Sequence, residues 1–406
     1  MLDAVIIGAG AAGLAAAQEL IRAGAKVCCL EARDRIGGRI LTVHGEAPVP
    51  VELGAEFVHG RPPEIFELAE RAGIGLYETA GRMVGLGEEE ADGGSVMEEL
   101  SRTATEEHDE TFQSFLDHTS FSPAEKEQAA AFVEGFNAAR REVIGVAGIA
   151  LDQQASDRID GESSFRVREG YDALIRALAG GVDVRLSCPV EAIEWKPGAV
   201  KVFMRVEPIE ARRALVTVPL GVLQSGAIRW NPEPKDSLAA AHALRFGDAF
   251  RVTFLFDRTF WDERPETAGF GFLFSEEPLF PVWWTGRPAE PRLITGWSAG
   301  PKADPLIGQP RDAIVAQALA TLSRIMKTQP PNPRGVWFHD WNADPFSRGA
   351  YSYVPAGALP ARRKLAEPVA DTLYVAGEAT DLLGYTGAVH GAIASGRRAA
   401  AQILGR

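Results

Sequence analysis

Gly8-Ala9-Gly10-Ala11-Ala12-Gly13, followed about twenty residues later by Glu31, can bind a pyrophosphate and a ribose. Gly8 permits a tight turn, Gly10 has no side chain to hold off a phosphate, and Gly13 lets a helix lie close to the preceding strand. The first N–H groups of that helix then face the phosphates, and Glu31 can accept the hydroxyl hydrogens of a ribose. This chemistry needs a strand, a turn and a helix in register, and the flanking residues supply them. Val5-Ile6-Ile7 is a short apolar run of strand type, Leu14 to Leu20 is strongly helix-forming, and Gly24 stops the helix. Lys26 to Leu30 is a second buried strand that ends at Glu31, so Asp3 to Glu31 predicts a dinucleotide-binding βαβ unit.

A second glycine pair follows in Ile36-Gly37-Gly38-Arg39. Nicotinamide domains do not require it, whereas a loop returning to the far side of a pyrophosphate needs a close backbone and a cation. FAD is the dinucleotide this points to, and a turn with a solvated arginine is the plainer reading of the same residues. Near the end of the chain Thr372 to Ala376 reads as a strand closed by Gly377-Glu378, and Gly384-Tyr385-Thr386-Gly387 leads into a helix from about Ala388 to Leu404. The partial positive charge of that helix N-terminus, pointed at the pyrimidine edge of a flavin, would stabilise negative charge at N1 and O2 of the reduced ring.

The elements that must carry these residues fit a large two-lobed chain. It has 406 residues, 46% of them hydrophobic, with 42 Lys plus Arg against 55 Asp plus Glu, a formal charge of −13. A general phosphate-binding surface, and with it a nucleic-acid partner, is not expected. The three cysteines, two of them adjacent, cannot frame disulfides, no C-x-x-C suggests zinc, and a reducing, cytoplasmic setting fits. Neither a signal peptide nor a membrane span is expected. Gly81 to Gly94 reads as a loop leading into a second lobe, and about Val96 to Ile149 as helical, with Phe112, Phe115, Leu116, Phe132 and Phe136 expected in its core. Residues from Gly161 to Val218 return to the first lobe. Beyond Pro234 the chain leaves again, with Arg251, Thr253 and Leu255 on one face of a strand and Val252, Phe254 and Phe256 on the other. Of Trp283 and Trp284, one is expected to line a pocket and the other to be core.

Taken together, the chain resembles the flavin-containing amine oxidases, which include monoamine oxidases, polyamine oxidases and the catalytic domain of flavin-dependent histone lysine demethylases. The motifs are Val5 to Gly13, Glu31 with Gly37-Gly38-Arg39, Leu53 to Gly60, Arg168 to Tyr171, Val218 to Leu223, Phe256 to Trp261, Trp341 to Pro345, Gly349 to Tyr353 and Ala376 to Glu378. The resemblance implies an α/β fold: a Rossmann-like FAD-binding domain of the glutathione-reductase type, built from residues 1–80, 155–245 and 360–406, interleaved with an α+β substrate domain, residues 81–154 and 246–359. It implies non-covalent FAD held by Gly8, Gly10, Ala12, Gly13, Glu31, Ala32, Arg33, Gly38, Arg39, Gly54, Ala55, Glu56, Phe57, Val190, Val218, Pro219, Trp341, Gly377, Glu378, Gly387, Ala388 and Val389. It places Arg251, Tyr351, His59 and Trp341 at the reacting end, without a metal. The implied reaction takes a hydride from the α-carbon of a small amine or polyamine to flavin N5. The imine hydrolyses to an aldehyde, and O2 reoxidises the flavin to give H2O2.

Three positions depart from the family. Ala350 stands where monoamine oxidases carry the cysteine that bonds the flavin. Tyr351 matches one wall of their aromatic cage, but Ala388 falls near the other, and His59-Gly60 is closer to the polyamine oxidase branch. Arg251 aligns where the family has a lysine that holds a water against N5, and a planar guanidinium that never deprotonates would slow the reaction with oxygen. The same arginine could instead pair with a nearby carboxylate, and Glu56 is either a partner for a substrate ammonium or a loop acid. Two other functions stay open, a flavin dehydrogenase or desaturase on an apolar substrate and a flavin-binding protein without turnover. The helical middle is too short for the coiled-coil insertion of the demethylases.

Overall fold

The computed structural model describes residues 1–86 and 93–406. Strand Leu2–Ile7 is central to an eight-stranded sheet, pairing in parallel with Val27–Leu30 on one side and with Ile209–Val216 on the other. Its residues are apolar on both faces because both faces are covered. Ala4 and Ile6 join a core that includes Leu14 and Leu20 of the helix Ala11–Arg22, and Val5 and Ile7 join a second core with Val200, Val216 and Leu365. Leu373–Val375 adds a further parallel strand beside Ile209–Val216, and Val184–Arg185 another beside Val27–Leu30. The parallel strands bring Gly8, Glu31, Val218 and Gly377 to their carboxyl ends, where ligands of such sheets bind.

Two close approaches explain glycines in this region. A Cβ at Gly13 would lie 2.0 Å from the Gly8 carbonyl oxygen, and one at Gly396 would lie 2.2 Å from that of Ala12. The last helix, Val389–Ile403, therefore rests directly on the helix that follows the glycine turn.

A six-stranded sheet runs in the order Gly335–Trp337, Ala249–Leu255, Glu290–Ala299, Val282–Gly286, Phe270–Ser275, Arg82–Leu86. Helix Arg311–Met326 covers one face, where Ile314, Ala318 and Leu322 pack with Val252, Phe254, Phe256 and Trp283. Leu255 turns the other way, to Val51, Leu53 and Trp337, and Thr253 Oγ1 meets Thr295 Oγ1 at 2.9 Å. The alternation expected along 251–256 is thus the alternation between helix-covered core and site.

Two sequence expectations are corrected here. Part of the Gly81 to Gly94 stretch is a strand: Arg82–Leu86 pairs in parallel with Phe270–Ser275 at the sheet edge, and residues 87–92 lie outside the described residues. Its glycine signal belongs to the entry, since a Cβ at Gly81 would sit 2.3 Å from the Gly271 nitrogen. Phe132 and Phe136 are not core. Phe112, Phe115 and Leu116 are buried as expected, but Phe132 is 50% and Phe136 54% exposed, because helix Pro123–Asn137 buries its opposite stripe of Ala129, Ala130 and Val133. Helical spacing identifies a stripe without saying which stripe faces inward.

Candidate active site

At the dinucleotide end the glycines divide into two kinds. Gly8, at φ +109°, and Gly13 are packed against backbone and Thr217, where a Cβ has no room. A Cβ at Gly10 would instead meet only the Gly37 oxygen, at 3.9 Å, and Gly38 lies opposite, its Cβ position 3.6 Å from Gly10 Cα. The two glycine loops face each other across a cradle. Gly10 caps the helix Ala11–Arg22 with no side-chain hydrogen bond, leaving the first-turn N–H groups directed at an anion.

Glu31 is buried, its Oε2 accepting from the Ala9 N–H at 2.8 Å and its Oε1 from the Arg33 N–H at 2.9 Å. Each oxygen keeps a second lone pair for a ribose hydroxyl. Arg33 donates to Asp344 at 2.8 Å, and His339 contacts the other oxygen of Asp344 at 3.0 Å. Burial alone would raise the Asp344 carboxyl, but His339 and Arg33 hold it well below the usual carboxylate range. Ala32 follows Glu31, Val190 lies two residues past Cys188, whose N–H donates to the Glu31 carbonyl, and Val218-Pro219 continues from Thr217, which is bonded to Ile7. The structure brings these positions to one edge of the sheet.

Farther along, Arg39 Nη1 donates to the Ala350 carbonyl at 2.7 Å and to Glu378 Oε1 at 2.9 Å. Glu378 Oε2 accepts from Ser352 Oγ at 2.5 Å and from the Gly387 N–H at 3.1 Å, so one buried carboxylate joins the second glycine loop, the 351–353 strand and the entry to the last helix. Trp341 donates to the Leu53 carbonyl at 2.7 Å, and a Cβ at Gly54 would lie 1.8 Å from the Arg39 oxygen and 3.1 Å from the Trp341 ring. Gly54 is wedged between Arg39 and Trp341, and the Ala55 N–H donates to the Arg39 carbonyl. Gly377, at φ +143°, borders open space, with nothing within 4 Å of a Cβ built there. Ala388 caps Val389–Ile403 without a side-chain bond, as Gly10 caps the first helix.

The reacting end combines fixed charge with rings. Glu56 accepts from Arg166 Nε at 2.7 Å on one oxygen, and from Arg251 Nη2 at 2.5 Å and Trp284 Nε1 at 3.1 Å on the other. Arg251 also donates to the Gly54 carbonyl at 2.9 Å and lies over the Trp284 ring at 5.5 Å, and its Nε has no partner among the described residues. Burial pushes the Glu56 carboxyl up, and the two arginines pull it further down, below its ordinary value. Glu52, four residues earlier, accepts from the neutral donors Thr42 Oγ1 and the Tyr171 N–H, and burial lifts it to about 8.

Phe57 stands 5.4 Å from both Phe272 and Trp284 and 5.9 Å from His59, and His59 is 5.7 Å from Phe136. Tyr351 donates to the Phe136 carbonyl at 2.8 Å and lies against Gly387, whose Cβ position is 3.1 Å from its ring. His390 meets the Tyr385 ring at 4.5 Å. Burial lowers His59 to about 4, and burial with the nearby His59 lowers His390 to about 3, so both are neutral at pH 7. Trp283 is core, and its neighbour Trp284, also buried, donates to Glu56.

Sequence reasoning missed Arg166, Phe136, Tyr385 and His390. Arg166 had one signal, its place between the buried Phe165 and Val167 in the strand Ser164–Val167, where a cation demands a buried acid. Tyr385, three residues before Ala388, packs its ring on His390.

A dinucleotide cradle at the strand ends, with a ring-lined cluster beyond it, is the plan of a flavoenzyme. The chain belongs to the flavin containing amine oxidoreductase family, whose sequence model matches residues 11–83 and 88–404. It is 30% identical to human lysine-specific histone demethylase 2 over 98% of this chain and 53% of that protein, and 29% identical to Arabidopsis thaliana polyamine oxidase 2 over 98% and 86%. The chain spans about half the length of the demethylases it matches. Its fold is that of putrescine oxidase bound to putrescine, with a TM-score of 0.85, 22% identity and 100% and 99% coverage. Cyclohexylamine oxidase from Brevibacterium oxydans IH-35A shares the fold, with a TM-score of 0.85, 21% identity and 100% coverage of both chains. FAD is the expected cofactor, and the open cradle at Gly10, Gly38 and Gly377 fits it.

Proposed function

We propose that the protein oxidises a small amine with non-covalent FAD. The observation that carries this reading is the wedge of Gly54 between Arg39 and Trp341, directly beside the Arg251–Glu56 pair and the rings from Phe57 to Phe136. Glu31, Gly10 and Gly38 would hold the adenosine and pyrophosphate end, while Arg39, Glu378, Trp341 and the 387–389 helix entry would hold the ring end. Bound FAD supplies the two-electron acceptor for the C–H bond next to the amine nitrogen and, with O2, the route to H2O2. Ala350 offers no atom for a covalent flavin bond. Neutral His59 and His390 and the fixed cation at Arg251 suit transfer from a neutral amine to an imine.

A dehydrogenase is the second reading, and Arg251 supports it. Its bonds to Gly54 and Glu56 hold the guanidinium in one plane, with only Nε left without a partner among the described residues, so a water is held less freely than by a lysine ammonium and slow reoxidation by O2 is expected. A histone demethylase role is not favoured, since the described helices between 93 and 157 reach at most 15 residues, in Pro123–Asn137. The test is anaerobic bleaching of the yellow protein with monoamines, diamines, spermidine and amino acids, followed by air. Bleaching with rapid return of colour and peroxide is expected of an oxidase, and slow return of a dehydrogenase. A protein that keeps its FAD and is bleached by no amine would overturn the proposal.

A further inference from the structure

Charge and ring placement bear on which amine the site takes. Glu56, the carboxylate nearest the rings, is held on both oxygens by Arg166 and Arg251 and also by Trp284, so two guanidiniums face one carboxylate and the group is net positive. Glu378 is likewise closed by Arg39, Ser352 and Gly387. His59 and His390, neutral at pH 7, add no charge. The rings nearest these groups form a row, Trp284 to Phe57 to His59 to Phe136 at ring separations of 5.4 to 5.9 Å, ending at the exposed Phe132 and Phe136, stacked at 5.5 Å.

We infer that the substrate is a monoamine with an apolar or aromatic body, that it enters along the row of rings from Phe136 to Trp284, and that this passage rejects amines carrying a second positive charge. This rests on the amine oxidation proposed above. A second ammonium placed along the passage would lose water without gaining a carboxylate, and would approach the net-positive Arg166–Glu56–Arg251 group. An apolar body loses nothing there and stacks on the rings. The polar exception is Glu64, near Tyr385, one of whose carboxylate oxygens is buried without a partner among the described residues. It lies in the first turn of helix Pro63–Ala72, whose dipole offsets its charge.

The experiment uses the FAD-loaded protein with matched pairs, hexylamine against 1,6-diaminohexane and 2-phenylethylamine against spermidine. Anaerobic flavin reduction reads turnover, and isothermal calorimetry with the same amines reads binding separately. The expected result is a monoamine preference of at least about tenfold, some 1.4 kcal/mol, in both readouts. Phe136→Glu, an exposed substitution that leaves the core intact, is expected to narrow that gap several-fold by adding a carboxylate to the passage. A diamine or spermidine that matches or beats its monoamine overturns the inference, and loss of that activity in Glu64→Gln would assign it to Glu64. If no amine reduces the flavin yet calorimetry shows the monoamine preference, the proposed reaction fails and the inference about the site stands. Equal binding of both classes sinks the inference whatever the turnover.

Discussion

Arg251 occupies a position where the resemblance leads one to expect lysine, and it comes with its own counter-charge. A buried Arg–Glu–Arg group holds because each charge is matched by hydrogen bonds, and removing one member leaves an uncompensated charge that typically costs about 3–5 kcal/mol. Glu56→Gln is therefore expected to lower the chemical-denaturation free energy by that amount, and a loss under about 1 kcal/mol would show that the group contributes little. Arg251→Lys keeps the charge but cannot bridge Glu56 and Gly54 with a planar fork, which frees a compact ammonium to hold water. It is expected to speed reoxidation of the dithionite-reduced protein by O2 about tenfold in stopped-flow, and an unchanged or slower rate would remove Arg251 as the cause of slow reoxidation. The histidines set the acid limb of stability. His59 titrates at about 4 and His390 at about 3 in the folded chain against an ordinary 6.5, so the unfolded chain binds more protons in that window. Stability is lost as pH falls from about 6.5 toward 4, on the order of 1–3 kcal/mol for His59. Glu52 acts in the opposite sense. Its folded value of about 8 lies above the ordinary carboxyl, so stability falls as pH rises from about 4.5 through 8, and Glu52→Gln is expected to flatten the urea midpoint between pH 6 and 9.

At the scale of elements, the two uses of glycine separate cleanly. Gly10 has φ −84° and ψ −174°, which alanine adopts freely, and its Cβ would point into the cradle with only Gly37 O at 3.9 Å. Gly10→Ala is expected to leave the thermal midpoint of the apoprotein within a degree or two while weakening FAD binding about tenfold or more by fluorescence titration. Gly13→Ala places a Cβ 2.0 Å from the Gly8 oxygen, so it is expected to lower the apoprotein midpoint itself, by overpacking worth about 3 kcal/mol. Equal midpoints for the two variants would contradict this division. The strand–turn–helix containing both glycines was legible in the sequence because its signals are local: periodicity, glycine spacing and an acid at the strand end. The strand Arg82–Leu86 was not, since it is held by pairing with residues 270–275, nearly two hundred positions away. The outward face of Pro123–Asn137 was illegible for a related reason: Phe136 meets the distant His59 and Tyr351, and Phe132 stacks on Phe136.

Over the whole molecule, the candidate residues that stand out in the sequence are those set by local pattern, namely the cradle glycines, Glu31, Arg39 and Glu378. The Arg166–Glu56–Trp284–Arg251 group was readable only in pieces, because it joins four segments whose meeting is a property of the fold. The charge of the molecule then opposes that of its reacting end. A formal −13 surrounds a buried net-positive group, so in the proposed reaction an ammonium would be drawn to the surface and would have to shed its charge to react. These two effects respond differently to salt. Attraction by surface charge fades once the Debye length shrinks from about 30 Å at 0.01 M toward a few ångströms near 1 M, whereas a buried group is screened little. Raising ionic strength from 10 to 500 mM is therefore expected to lower kcat/KM for a monoamine several-fold while leaving the limiting rate of anaerobic flavin reduction unchanged. A limiting rate that fell with salt while kcat/KM held would place the decisive charge at the exposed surface instead of at Arg166, Glu56 and Arg251.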